Sequence, residues 1–250
     1  MRNLSKVSLL AGFFVSSSVF ALGIEGSIGG WSQDPSGYAS YKGDSLDVDR
    51  DLRYGKKTKL MARLKIQTPS ILPNFYLMAT QSNFSGQGSK NVQFKFGDKT
   101  FQENVPFYSE AKLHHYDIGL YYNMPFLGTT TAGVLKAEFG INARILDLKV
   151  RVRQEQNNID ESKSLIAPVP MVYAGVGIRP ITFVSLEGEF RGIAYGKNHY
   201  YDSIARVKIK PIAHTFVAGG YRWQDLKIDV SDVKSKLKLK GLFAEAGFEF

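Results

Sequence analysis

Apolar and polar residues alternate with a period of two along most of this chain, and helical periodicity is nearly absent. In Lys59–Ile66 one face carries Leu60, Ala62, Leu64 and Ile66, while the other carries Lys59, Arg63 and Lys65. The same alternation runs through Leu135–Ile145, Val184–Arg191, Ala205–Lys210 and Leu242–Phe250. Ten such segments are expected: 22–31, 57–67, 74–84, 112–123, 134–153, 164–179, 182–195, 201–210, 214–228 and 237–250. Even-to-odd links are short and carry proline, as at Pro69–Pro73, Pro125, Pro180 and Pro211; most odd-to-even links are longer, polar and rich in glycine.

Both faces of the alternation are informative. The polar face holds charges of both signs, as a narrow lumen requires, where cations and carboxylates pair. The pattern predicts an all-β fold, a closed antiparallel transmembrane β-barrel of about ten strands, with both termini periplasmic. Residues 91–105, in which Gly97-Asp98 sits between Val92–Phe96 and Lys99–Phe101, read as a hairpin protruding from the second external loop. If those strands belonged to the wall, the count would be wrong.

Residues 1–21 carry Arg2 and Lys6, an apolar stretch too short to span a membrane, and Val19-Phe20-Ala21 at a cleavage position. They predict a signal peptide, leaving 22–250 as the barrel. Removing Arg2 and Lys6 takes the formal net charge from +9 to +7. With export this points to anionic lipopolysaccharide and not to nucleic acid. The chain has no cysteine, so disulfides and thiol chemistry are excluded. No run after Ala21 approaches 18 apolar residues, which excludes a helical membrane span.

The closing strand places Leu242, Ala244, Ala246, Phe248 and Phe250 on one face and stops on phenylalanine. It resembles the signal read by the barrel-assembly machinery, with Phe248 and Phe250 as its terminal aromatics. Other stretches are Leu72-Pro73-Asn74, Leu113–Tyr122 (LHHYDIGLYY), Pro168–Ala174 (PVPMVYA), Leu186-Glu187-Gly188-Glu189 and Gly219-Gly220-Tyr221-Arg222. Together they resemble a family of small Gram-negative outer-membrane β-barrel proteins of unassigned activity. The resemblance covers nearly all of the segment 22–250. It implies fold and location, and brings no catalytic or ligand-binding residues with it.

Continued along each strand, the alternation assigns candidate residues. A lumenal charge network is expected from Glu25, Arg63, Lys65, Asp117, Lys136, Glu138, Arg144, Glu187, Glu189, Arg191, Arg206, Lys208, Arg222, Glu245 and Glu249, plugging a barrel too narrow for a general porin. Above the lipid the polarity inverts. Leu113, Leu146, Leu148, Val150, Val152, Ile193, Ile204, Leu226, Ile228, Leu237 and Leu239 turn inward as an upper apolar chamber, read as structural packing or as a site for a small hydrophobic molecule. Lys149, Arg151, Lys238 and Lys240 turn outward as a belt for lipopolysaccharide phosphate.

His114, His115 and Asp117 form the one dense catalytic-looking cluster; His115 and Asp117 should face inward and His114 outward, the pattern of a lumenal hydrogen-bonded pair. Asp47–Asp51 suggests a calcium loop, but Leu52 and Thr58 stand where glycine and glutamate are needed, so a solvated loop is expected. Gly175-Val176-Gly177 relieves crowding in a curved wall. The expectation is thus a monomer without cofactor or metal that is not an enzyme. It would be structural, or would bind or pass a small hydrophobic compound. The alternatives are a barrel-embedded lipid-modifying enzyme acting through His115 and Asp117, or a narrow ion-conducting channel.

Overall fold

A computed structural model describes residues 22–69, 71–230 and 232–250; the expected signal segment, 1–21, lies outside them. The strands are β1 (Gly23–Tyr41), β2 (Ser45–Asp47), β3 (Lys57–Gln67), β4 (Asn74–Thr80), β5 (Asn83–Gly88), β6 (Phe94–Phe96), β7 (Lys99–Phe101), β8 (Phe107–Asn123), β9 (Leu135–Gln154), β10 (Ile159–Ile181), β11 (Val184–Tyr195), β12 (Asn198–Ile212), β13 (Thr215–Val230) and β14 (Val233–Glu249). All pairings are antiparallel, and β14 returns to β1 from Glu25↔Glu249 through Tyr41↔Val233, which closes the sheet. β4 and β5 meet β8 in one register, Thr80↔His115 and Asn83↔Lys112, so they count as one interrupted wall strand. The wall therefore has ten strands: β1, β3, β4 and β8 to β14.

Period-two alternation lets such a wall sit in hydrocarbon. Ile28, Ile141, Val176 and Leu242 are 57–67% exposed on the outer face, whereas Arg63, Arg144, Arg191 and Arg222 are 0–4% exposed inside. A closed barrel leaves no backbone edge unpaired within lipid, and an apolar exterior around a polar interior is the arrangement a bilayer stabilises. The chain is a small outer-membrane β-barrel protein.

Two connection features depart from expectation. The strands run past the predicted upper ends because antiparallel pairing continues beyond the lipid band. β9 and β10 stay paired up to Gln154↔Ile159, so the expected long link between 153 and 164 shrinks to the short turn at Glu155–Asn158. Likewise β11–β12 and β13–β14 are joined by two residues each. The long connections of this end, 42–56 and 89–106, belong to the β1, β3 and β8 side alone.

Those two connections form a folded cap. β6 and β7 pair through Phe94↔Phe101 as a separate two-stranded sheet, outside the wall as expected of residues 91–105. The solvated-loop reading of 47–51 needs correction: Leu46, Val48, Leu52 and Tyr54 are buried with Phe84, Phe94, Phe96, Phe101, Phe107 and Val152 in one apolar cluster. Only the acidic side of the turn meets water. Its geometry is closed by Asp47, whose Oδ1 accepts the backbone N–H groups of Asp49 (3.0 Å) and Arg50 (2.9 Å). The Arg50 N–H holds this carboxyl below its ordinary range. The turn is an Asx-type turn.

Candidate functional site

Inward-facing positions of the ten strands assemble a continuous charge network, divisible into three layers. The upper layer centres on Asp202. Arg222 grips it with Nε (2.9 Å) and Nη2 (2.7 Å), Gln224 donates at 3.1 Å, and Arg144 Nη2 reaches it at 2.5 Å. Arg144 also makes a bidentate pair with Asp117, at 2.8 and 2.9 Å, and Asn142 donates to the same carboxylate at 2.6 Å. The guanidinium planes lie over aromatic rings, Arg222 on Trp31 and Arg144 on Tyr200, both at 4.7 Å. Bidentate geometry and stacking are what make arginine, rather than lysine, suited to a packed lumen.

The middle layer turns on Glu189, which accepts Arg63 (3.0 Å), Arg191 (2.8 Å) and the Tyr76 hydroxyl (3.2 Å), with Lys65 Nζ also 3.0 Å away. Lys65 further contacts Glu138 at 3.0 Å, and Tyr173 donates to Glu138 at 2.6 Å. Lys136 reaches Glu138 from the rim at 2.6 Å. The role of Gly175 becomes specific here, since a Cβ would stand 2.7 Å from Glu138 Oε2 and 3.0 Å from the Tyr173 hydroxyl. Its missing side chain makes room for this hydrogen bond.

In the lower layer Arg206 bonds Glu25 (2.5 Å), Glu187 (2.8 Å) and Glu245, and Lys208 bonds Glu25 (3.0 Å), Glu187 (3.1 Å) and Glu249 (2.9 Å). Lys210 closes the rim on Glu249. Below lies a vestibule of about 830 Å³, lined by Glu25, Lys65, Glu138, Glu187, Lys208 and Glu249 together with the β8–β9 connection at 124–134. It opens at the end of the barrel that carries the short β3–β4, β10–β11 and β12–β13 turns.

Of the expected lumenal residues Glu187 and Glu249 are half-buried and Lys136 is exposed at the rim, while the others are buried; Asp202, the most connected carboxylate of the upper layer, was missed by sequence reasoning. It stands at the start of the predicted eighth segment beside two tyrosines, yet it shares the even parity of Arg206 and Lys208. That parity was the available signal. Tyr76, Tyr173, Thr80 and Gln224 were missed similarly, because uncharged polar residues do not mark a face.

The expectation that the chain is not an enzyme is corrected by the same layer. His115, Asp117 and Asp202 present ligand-type atoms within 4.8 Å of one another, all buried. This brings together a catalytic-type constellation from two separate stretches of sequence, β8 and β12. His115 Nε2 faces the N–H groups of Arg222 (3.1 Å) and Gln224 (3.0 Å), so it accepts, and Nδ1 carries the proton toward Leu113 C=O at 3.1 Å. An imidazole of fixed tautomer beside two carboxylates is a proton-transfer arrangement. Both carboxylates are also held by Arg144 and Arg222, which occupy the lone pairs a metal would need and repel a cation. His114 faces out, half-buried, and accepts the Ser82 N–H at 3.0 Å.

The expected apolar chamber residues divide between two clusters. Leu146 and Leu226 are buried with Met171 and Tyr200, flanked by Leu113, Leu148, Ile193 and Ile228. Val152 and Leu239 are buried with the cap cluster, flanked by Leu113, Val150 and Leu237, whereas Ile204 departs from the expected chamber and sits lower, level with Glu189 and Arg222 in the charged lumen. The four expected belt residues lie on opposite faces, since β9 and β14 are five strands apart in a ten-stranded wall. Lys240 is exposed between Asp34 and Trp223, and Lys238 stands 3.8 Å from Asp225. Lys149 is opposite Lys112, and Arg151 is committed to Asp160 through Nε at 2.9 Å. The β14 register continues past Gly241, where φ is +156° and a Cβ would meet Ser32 O at 1.8 Å.

Neither a protein-family model nor a curated protein matches the chain. Among solved structures it is similar to Ail, the attachment invasion locus protein of Yersinia pestis, at 11% identity over 92% of this chain and 99% of that one, with a TM-score of 0.40. It is similar to the outer membrane protease OmpT from Escherichia coli at 10% identity, over 94% and 98%, with a TM-score of 0.48. The translocator domain of autotransporter NalP from Neisseria meningitidis gives 10%, 94% and 90%, with a TM-score of 0.41. Likenesses at this level carry no argument about activity, and the reading of function rests on the lumen itself.

Proposed function

We propose that this barrel is a narrow ion pathway held closed by its lumenal charge network, with both termini on the periplasmic side. The supporting observation is the charge lining of the interior within the lipid band: charged side chains run from the vestibule through Arg206, Glu189 and Arg144 to Asp202. A small ion entering from the vestibule would meet a partner at every level. A hydrophobic compound would have to cross a packed layer of charges, which is costly, so ion passage ranks above the expected passage of such a compound. The orientation rests on the two long connections, 42–56 and 89–106, lying at the end opposite both termini.

A second reading, capture of a small apolar molecule at the loop end without passage, has its own support. Leu165, Tyr195 and Val230 continue the inward faces of β10, β11 and β13 beyond the strand positions of Met171, Ile193 and Leu226, yet are 53–83% exposed. Lipopolysaccharide contact is proposed for Lys240 and Lys238, where Trp223 supplies an interfacial aromatic.

Planar-bilayer recording tests the pathway. The unmodified protein should show at most brief, small openings. Replacing Arg144 with alanine should strip Asp117 of its cation, and replacing Arg63 or Arg191 should remove one of the three cations on Glu189; each should raise steady conductance. A large stable conductance in the unmodified protein would contradict closure, and variants as silent as the parent would contradict the gate.

A further inference from the structure

The charge balance is uneven along the lumen. Arg144 and Arg222 match Asp117 and Asp202 in the upper layer. The lower layer sets Arg206, Lys208 and Lys210 against Glu25, Glu187, Glu245 and Glu249, a net of 3 − 4 = −1. The middle layer holds Arg63, Lys65 and Arg191 against Glu138 and Glu189, a net of 3 − 2 = +1, and Lys136 adds a further cation at the rim. Excess positive charge therefore sits midway through the barrel.

The same layer contains unmatched donors. Arg63 and Arg191 each use Nη2 on Glu189, and both leave Nε and Nη1 without a hydrogen-bond acceptor. The nearest further carboxylate, Glu245, is 3.7 Å from Arg63 Nη1 and already committed to Arg206. Both guanidinium side chains are at most 1% exposed. Both meet at Glu189 Oε2 and lie near the Tyr76 ring, with Arg191 at 4.3 Å and Arg63 at 5.7 Å from its centre. Buried N–H groups on a cation are costly to leave unpaired. The vestibule reaches Lys65 and Glu189, one side chain away.

We infer that Arg63 and Arg191 form a binding site for one small monovalent anion, a halide or the carboxylate of a small organic acid, fed from the vestibule. The anion accepts one unpaired N–H from each guanidinium and offsets the middle layer's excess charge. The site stands whether or not the barrel conducts.

The refolded barrel is titrated with sodium bromide or sodium acetate against sodium sulfate at constant ionic strength, and bromide is located in crystals by anomalous scattering. The expected result is a bromide peak within hydrogen-bond reach of both arginines and a thermal midpoint that rises with bromide or acetate. Arg191→Gln should lose the peak and weaken half-saturation by at least about tenfold, the loss of a charge-assisted hydrogen bond. Arg63→Lys, which keeps the charge but removes the planar donors, gives the same readout if Arg191→Gln does not fold. Water at these nitrogens with no anomalous peak, or a midpoint equally insensitive in parent and variants, would overturn the site. A rise with acetate alone would assign it to carboxylates, and a rise with both to monovalent anions generally.

Discussion

The lumen at the level of the lipid and the cap at the loop end are built on the same strands with opposite chemistry. On β9, inward positions read Asn142 and Arg144 within the band, then Leu146, Leu148, Val150 and Val152 above it. On β13, Arg222 and Gln224 give way to Leu226 and Ile228, and on β14, Glu245 is followed upward by Leu239 and Leu237. Parity never changes; the surroundings do. Where hydrocarbon lies outside, the interior is polar and held by directional ion pairs. Where water lies outside, the interior becomes an ordinary apolar core. The first kind of interior fails when one partner is removed, whereas the second fails by loosening.

This contrast can be broken at its strongest point first. Arg222→Ala strips Asp202 of its bidentate partner and removes donors to Thr80 and His115. It should cost about 3–5 kcal/mol in reversible urea unfolding, the penalty for orphaning a buried charge. Arg222→Lys should fall between parent and alanine.

In the cap, Leu46→Ala should cost about 2–3 kcal/mol, toward the lower end for such truncations because the surrounding loops can close on the cavity. The loss should be local. Proteolysis at 42–56 should quicken, while the wall strands keep their protection in hydrogen exchange. A protease-resistant cap with a destabilised barrel would reverse the assignment of the two regions.

Gly175→Ala sharpens the comparison from the wall side. Its Cβ would crowd Glu138 and Tyr173, so about 1–3 kcal/mol of overpacking is expected, together with higher conductance through a displaced Glu138. The smallest effect should come from Lys136→Ala. Lys136 is 42% exposed at the rim, and a screened pair of this kind contributes under about 1 kcal/mol. Its loss should leave the barrel closed.

What was legible in the sequence follows the same division. Wherever a charge alternated with an aliphatic residue, as at Arg63–Lys65 or Glu187–Arg191, strand, face and lumenal position could all be read. Asp202 escaped because Tyr200 and Tyr201 blur the alternation around it. The cap escaped because Leu46, Val48, Leu52 and Tyr54 are scattered among Asp, Arg and Gly residues of a non-repeating loop. Their burial depends on Phe94, Phe101 and Phe107 from a different connection. Partner choice within the lumen was also unreadable. Parity says which residues face inward, but the stagger of a closed barrel decides that Arg206 meets Glu25 and Lys65 meets Glu138.

The most direct test of the closed charge network is a double-mutant cycle on Asp117 and Arg144, read as steady conductance in planar bilayers. Asp117→Asn takes the bidentate carboxylate from Arg144 and leaves it only Asp202, Arg144→Gln leaves Asp117 without its guanidinium, and the double variant removes both charges and leaves Arg222 on Asp202. The account predicts that each single variant conducts more than the parent, and that the double variant is closer to the parent than either. Conductances that add in the double variant, or single variants indistinguishable from the parent, would contradict it.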